Sequence, residues 1–268
     1  LCSHNTATLG HECTIVNPKE MKRTCLDFTV RGVYVTPIPS HFDRGPRVAK
    51  EVEINVQPIF STPLLAFMVP DHATINQTLR RAILDREAST PSYADYEVVG
   101  WSSPHDLSML DWAGAELKRL FDPVVQVATQ VTEYSDRVPG QAGNRPEWQV
   151  AEVWANVQRK GGSNAVHPHP GSFWSGVYYA DVGEISDDGK HGGALQLFDP
   201  RGCLPRMLAP YLRYAMPELH DAGKNISLTP TTGQCVLFPG WLYHAVGVYT
   251  GDKPRISVAF NLEPILRR

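Results

Sequence analysis

The sequence predicts a mainly β domain, a sandwich or barrel of short strands with helices packed on its outside. Two observations carry that expectation. Over residues 148–262, short runs rich in valine, isoleucine and aromatic residues alternate with glycine and proline turn signals. Ahead of them, residues 71–134 place apolar side chains at helical spacing, so helices precede a continuous run of strands. The 268 residues, 42% of them hydrophobic, are enough for a well-filled core. A net charge of −3 gives no electrostatic case for a nucleic acid or an anionic membrane as partner.

Residues 1–51 read as a poorly ordered N-terminal extension, since they show no sustained period apart from a short strand-like run at 26–35. Cys2, His4, His11 and Cys13 within it match no common zinc spacing. The five cysteines are odd in number and form no CxxC pair, which argues against a disulfide framework and for a reducing cytoplasm. No basic-then-apolar leader and no apolar run near 20 residues is legible, so the expectation is a cytoplasmic protein without a membrane span. Residues 52–268 read as one domain, with helical support over 71–134 and a strand core over 148–264.

Within it, 52–58 reads as an edge strand ended by Pro58. Asp71 offers an N-cap for a helix through Ile75, Leu79, Ile83 and Leu84. Leu107, Leu110, Ala113, Leu117, Leu120 and Phe121 mark a second helix, and Pro123 the first turn of a third carrying Val124, Val127, Ala128 and Val131. Strands are expected at 149–158, 164–169, 175–181, 194–199, 226–229, 234–238, 244–249 and 255–262, with a proline-interrupted excursion and one short helix over 204–223. Loops at 86–105, 183–193 and 202–224 are placed to decide specificity, because binding residues concentrate on loops at a barrel mouth. A strand edge is free to pair with a second copy of the chain.

The chemistry concentrates on few residues. His167 and His169, two apart on a strand, share a face, and Pro168 between them lacks an amide hydrogen and so marks an edge or a barrel mouth. His244 follows a hydrophobic strand and a Pro239-Gly240 turn that would carry a third imidazole toward the barrel interior. No HExxH is present, which excludes a zinc-protease helix. Arg255 and Ser257 share a face of the last long strand with Ala259 and Asn261. An arginine buried there needs a carboxylate or phosphate partner, which is either an Asp or Glu of the chain itself or the distal carboxylate of a bound dicarboxylate, held by Arg255 with Ser257 as neutral donor. The pattern therefore predicts a metal centre beside a carboxylate site.

In order along the chain stand HPHP at 167–170, SGVYY at 175–179, DPR at 199–201, FPGWLYHAV at 238–246 and RISVAFN at 255–261. With WSSPHDL at 101–107, this series resembles the 2-oxoglutarate- and Fe(II)-dependent oxygenase superfamily over about residues 53–264, and within it a small bacterial and phage branch. The resemblance implies a double-stranded β-helix, a cupin-like jelly-roll barrel with helices packed on one sheet. It implies Fe(II), 2-oxoglutarate as cosubstrate, molecular oxygen, and oxidation of a small-molecule or peptide substrate by hydroxylation. It further implies Arg255 and Ser257 at the distal carboxylate of 2-oxoglutarate, with Tyr178 or Tyr179, whichever faces inward, and Asn261 as further contacts; of the two tyrosines Tyr178 is the one assigned. The chain departs from the superfamily at one position, because His169 stands where an aspartate or glutamate is expected. Three completions follow. His167, His169 and His244 bind iron together; or Asp199 supplies the carboxylate and one of His167 and His169 becomes a hydrogen-bonding neighbour; or His169 leads, with Gly171 in the carboxylate's place and an exogenous anion filling the gap. A cupin-like metal dioxygenase or hydrolase without 2-oxoglutarate, and a non-enzymatic metal- or dicarboxylate-binding barrel, are the alternative functions; the Arg255-x-Ser257 pair disfavours the first of them, because it needs no distal carboxylate clamp.

Overall fold

The computed structural model describes residues 59–94, 98–203, 207, 209–212, 214 and 223–265. The expected extension at 1–51 and edge strand at 52–58 lie outside the described residues, as does most of the excursion at 204–223. From Thr62 the chain forms one compact unit. The described elements are β1 (Leu65–Met68), α1 (His72–Ser89), β2 (Val98–Val99), β3 (Trp101–Ser102), α2 (Met109–Trp112), α3 (Ala115–Val131), β4 (Trp148–Gln158), β5 (Ser163–His167), β6 (Trp174–Asp181), β7 (Leu195–Leu197), β8 (Ile226–Leu228), β9 (Gln234–Pro239), β10 (His244–Val246) and β11 (Arg255–Pro264).

The strands form two antiparallel sheets, one ordered β1-β9-β6-β11-β4-β3 and the other β2-β5-β10-β7-β8. This is the expected mainly β jelly-roll with helices on one sheet, the architecture of a double-stranded β-helix. None of the described helices is long and apolar enough to cross a membrane.

The long central strands β4, β6 and β11 set the two faces of the larger sheet. Ile256, Val258, Phe260 and Leu262 of β11 lie in register with Val157, Ala155 and Val153 of β4 and with Tyr178, Gly176 and Trp174 of β6. That face meets the helices. α1 brings Ile75, Leu79 and Ile83, and α3 brings Leu117, Leu120, Phe121, Val124 and Ala128, all buried in one core. Phe121 meets Phe260 edge-on at 5.2 Å. Gly176 permits this packing, since a Cβ there would lie 2.4 Å from the Phe260 ring. The opposite face of the sheet closes against the second sheet through Tyr179, Val236 and Phe238, with Leu195 and Leu197 opposite them.

Helix α3 corrects the expectation of a break at Pro123, which lies inside it. Without an amide hydrogen at Pro123, the Arg119 carbonyl loses its helical partner. The buried stripe from Leu117 to Ala128 spans the proline, and packing against the sheet outweighs the local cost. The chain breaks earlier, at Gly114, whose φ of 82° suits glycine. The short strands β1, β2 and β3 carried too few residues to show a period in the sequence.

Candidate metal and dicarboxylate site

The face of β11 turned away from the helices is polar. Arg255, Ser257, Ala259 and Asn261 follow at period two, in register with Gln158, Asn156, Trp154 and Glu152 of β4. Ser257, Ala259 and Asn261 are likewise in register with Tyr179, Val177 and Ser175 of β6. Apart from Gln158 and Ser175, these side chains line one wall of a cavity of about 320 Å3, and His167, His169 and His244 line the other.

The three histidines converge, with one ring nitrogen from each lying within 4.8 Å of the others. His167 ends β5 and His244 begins β10, and the two are direct partners in the second sheet. His169 lies just beyond β5, which stops at His167, one residue before Pro168. Its position is fixed by two stapled turns. The His169 amide donates to the Gly240 carbonyl at 2.7 Å, and the Gly240 amide donates to the Phe173 carbonyl at 3.1 Å. Gly240 fits because a Cβ there would meet the Ser172 carbonyl at 2.3 Å. The sequence FPG therefore locks the turn before His244 onto the turn that carries His169.

This cluster suits a metal ion in its proton inventory. His167 Nδ1 bonds the Ala165 carbonyl at 2.8 Å and His244 Nδ1 the Leu242 carbonyl at 2.9 Å. Each ring can only donate to a carbonyl, so its proton sits on Nδ1 and its Nε2 lone pair is left for a ligand. Burial, with the neighbouring imidazoles, holds His169 down to about 3 and His244 to about 4, so both are neutral, the form that binds metal. His169 Nε2 and His244 Nε2 stand 3.2 Å apart. Two nitrogens each about 2.1 Å from one ion and about 90° apart stand about 3 Å from each other. Imidazole donors suit iron, among other first-row metals.

At the other end of the cavity Arg255 is 1% exposed, and Gln158 and Ser257 accept from its Nη1 at 2.9 and 3.2 Å. Its Cζ lies 5.2 Å from the centre of the Tyr179 ring. None of these neighbours carries a charge. Among the described residues, the buried Arg255 Nε and Tyr179 hydroxyl have no hydrogen-bond partner of good geometry. A buried guanidinium with neutral neighbours and idle donors beside it fits an anionic group from outside the chain.

The structure corrects two of the site residues read from the sequence. Tyr178 turns to the helical layer, where its hydroxyl donates to Asn76, and it is Tyr179 that faces the cavity. The parity of β6 decides this, since its odd residues face the cavity in register with the odd residues of β11. Asp199 lies in the turn after β7, outside the histidine cluster. Its carboxylate accepts from Arg201 Nε and Nη2 at 2.9 and 2.8 Å and from the Gly223 amide at 2.7 Å, and these donors hold it down to about 2. A carboxylate satisfied in this way does not serve the cluster.

Asn261 stands where its strand period put it. Its Nδ2 donates to Glu152 at 2.7 Å and lies 3.4 Å from His169 Nδ1, while its Oδ1 accepts from Ser175 at 2.8 Å. His105, from the segment after β3, stacks on Trp154 at 4.3 Å and lines the cavity mouth with the exposed Glu152. His105 lies in the 86–105 loop and the WSSPHDL segment that the sequence marked, Asn164 on β5 carried no sequence signal, and Gln158 and Asn156 share the alternating face of β4 with Trp154.

Residues 152–261 match the family model described as "Putative 2OG-Fe(II) oxygenase". That segment is similar to the 2OG-Fe(II) oxygenase family. Fe(II) and 2-oxoglutarate are the metal and cosubstrate that the family's description names, and the matched segment runs from Glu152 to Asn261, through all three histidines and Arg255. No curated protein matches the chain. Solved structures similar to the chain include a prolyl hydroxylase from Trichoplax adhaerens in complex with a hypoxia inducible factor peptide fragment, at 12% identity and a TM-score of 0.48, covering 74% of this chain and 83% of that one. A Pseudomonas putida prolyl-4-hydroxylase matches at 13% identity and 0.43, covering 75% and 93%. SnoN, a non-heme alpha ketoglutarate dependent epimerase of nogalamycin biosynthesis, matches at 13% and 0.47, covering 75% and 77%.

Proposed function

We propose that the chain is an Fe(II)/2-oxoglutarate-dependent hydroxylase in which His167, His169 and His244 hold the metal and Arg255 holds the far carboxylate of 2-oxoglutarate. The observation that carries this reading is the pairing, across one cavity, of a convergent histidine cluster with a buried arginine that has no acidic partner among the described residues. When bound, Fe(II) and 2-oxoglutarate supply oxygen activation, in which the cosubstrate loses carbon dioxide to become succinate as the substrate is oxidised.

The chain's own part is position and exclusion of water. His167 and His244 keep their Nε2 lone pairs directed inward because their Nδ1 protons are held by the Ala165 and Leu242 carbonyls. Three neutral imidazoles leave the metal with its full charge, one unit more positive than with a histidine-carboxylate set, which favours an anionic cosubstrate. Arg255 receives that cosubstrate's other end with Ser257 and the Tyr179 hydroxyl as further donors. Phe238, Leu195 and Val177 supply apolar wall that helps keep the cavity dry. The substrate enters past His105, Trp154 and Glu152 at the open mouth.

The test is spectroscopic. Anaerobic addition of Fe(II) and 2-oxoglutarate to the full chain should raise the metal-to-ligand charge-transfer band of chelated 2-oxoglutarate. A metal-loaded protein that shows no such band refutes the proposal.

A further inference from the structure

Gln158 joins the two sheets at the closed end of the cavity. It is fully buried on β4, in register with Arg255 of β11. Its Oε1 accepts from Arg255 Nη1 at 2.9 Å, and its Nε2 donates to Asn164 Oδ1 at 2.5 Å. Asn164 belongs to β5 of the opposite sheet. The amide cannot be reversed in this setting, because a guanidinium offers only donors and must face the oxygen. Gln158 thus spans from one sheet to the other and fixes where Nη1 points.

Its chemistry is the second half of the argument. Buried arginines are ordinarily matched by a carboxylate. Here the residue in register with Arg255 and within hydrogen-bond reach is the neutral isostere of a glutamate. Among the described residues, its neighbours Ser257 and the Tyr179 ring are neutral as well. The hydrogen bond is satisfied and the positive charge is left standing.

We infer that Gln158 is a positioning residue that braces Arg255 without neutralising it, and so makes the closed end selective for a 2-oxo acid that carries a second, distal carboxylate. This rests on the reading of Arg255 as the holder of that carboxylate. Gln158→Glu keeps the size and the acceptor but pairs Arg255 internally. Asn164 can turn its amide to donate to the new carboxylate, so the fold tolerates the change.

The experiment measures, by titration calorimetry under anaerobic conditions on the Fe(II)-loaded full chain, the affinities for 2-oxoglutarate and for 2-oxopentanoate, which has the same five carbons and no distal charge. The wild type is expected to prefer 2-oxoglutarate by roughly a hundredfold or more. Q158E is expected to lose about tenfold or more of that preference, with metal content and unliganded melting temperature at the wild-type level. Q158M keeps the charge and drops the brace, and is expected to lose part of the preference but less than Q158E. Unchanged preference in Q158E, or in Q158M should Q158E not fold, overturns the inference, as does an equal loss of affinity for both acids. Arg255→Met separates the two readings: if it abolishes the preference while Q158E retains it, only the role of Gln158 fails. If Arg255→Met also retains it, the assignment of Arg255 itself fails.

Discussion

Replacing Arg255 by methionine should act in opposite directions on the free and the liganded protein. In the free protein, Arg255 is 1% exposed and has only neutral partners among the described residues, so its charge carries an uncompensated desolvation cost. Exchanging buried charge for an apolar side chain of similar length is neutral or stabilising by about 1–4 kcal/mol. Against that, Gln158 loses its donor to Oε1, which costs about 1–3 kcal/mol. The unliganded stability should therefore stay within about 2 kcal/mol of wild type. In the liganded protein, a carboxylate about 4 Å from the guanidinium contributes about 4 kcal/mol at an effective dielectric constant near 20. Truncating one partner of a buried charged pair costs about 2–5 kcal/mol, or roughly 30- to 5,000-fold in affinity. Thermal unfolding with and without 2-oxoglutarate reads both effects. At a hundred times its Kd a ligand stabilises by about 2.7 kcal/mol, a rise of roughly 5–10 °C for a domain of this size. Wild type should show that rise and Arg255→Met should not at the same concentration. A variant that still shows the full rise, or one that loses more than about 4 kcal/mol without ligand, would refute the reasoning.

Three further outcomes are expected. His244→Ala should abolish stoichiometric metal binding measured by elemental analysis, whereas Asp199→Ala should bind metal as wild type does, since Asp199 is committed to Arg201 and the Gly223 amide. Tyr178→Phe should cost about 1 kcal/mol of stability through the lost bond to Asn76 and leave 2-oxoglutarate affinity unchanged, while Tyr179→Phe should lower that affinity a few-fold with little loss of stability. In metal-free protein, stability should fall with acid because His169 and His244 are depressed on folding to about 3 and about 4. The unfolded chain binds protons there first, so this contribution is complete above about pH 6.5 and is lost as pH drops toward 3–4, with a slope of up to about 1.4 kcal/mol per pH unit for each histidine. Denaturant titrations at pH 7.5 and 5 measure it, and equal stability at both would exclude buried neutral histidines.

The barrel strands were legible because each side chain's face follows from its position modulo two. That rule placed Arg255, Ser257 and Asn261 on one face before any coordinates, and they do share it. The same rule could not say which of Tyr178 and Tyr179 shares that face, because the answer depends on the register of β6 against β11. Helix α3 was misjudged at Pro123 for a related reason: the local penalty of a proline is visible in sequence, and the long apolar contact that outweighs it is not.

By itself the sequence determined the donor types: three imidazoles, a guanidinium with a hydroxyl two residues on, and the alternation that turns each toward a common interior. These follow from residue chemistry and strand geometry, which are local. Tertiary structure alone decided that His169 joins His167 and His244 while Asp199 is tied to Arg201. It alone decided that Arg255 meets a neutral amide reaching across from β4 to Asn164 on the other sheet. Charge compensation is a property of distance between chain segments, and those distances are set only when the two sheets close on each other.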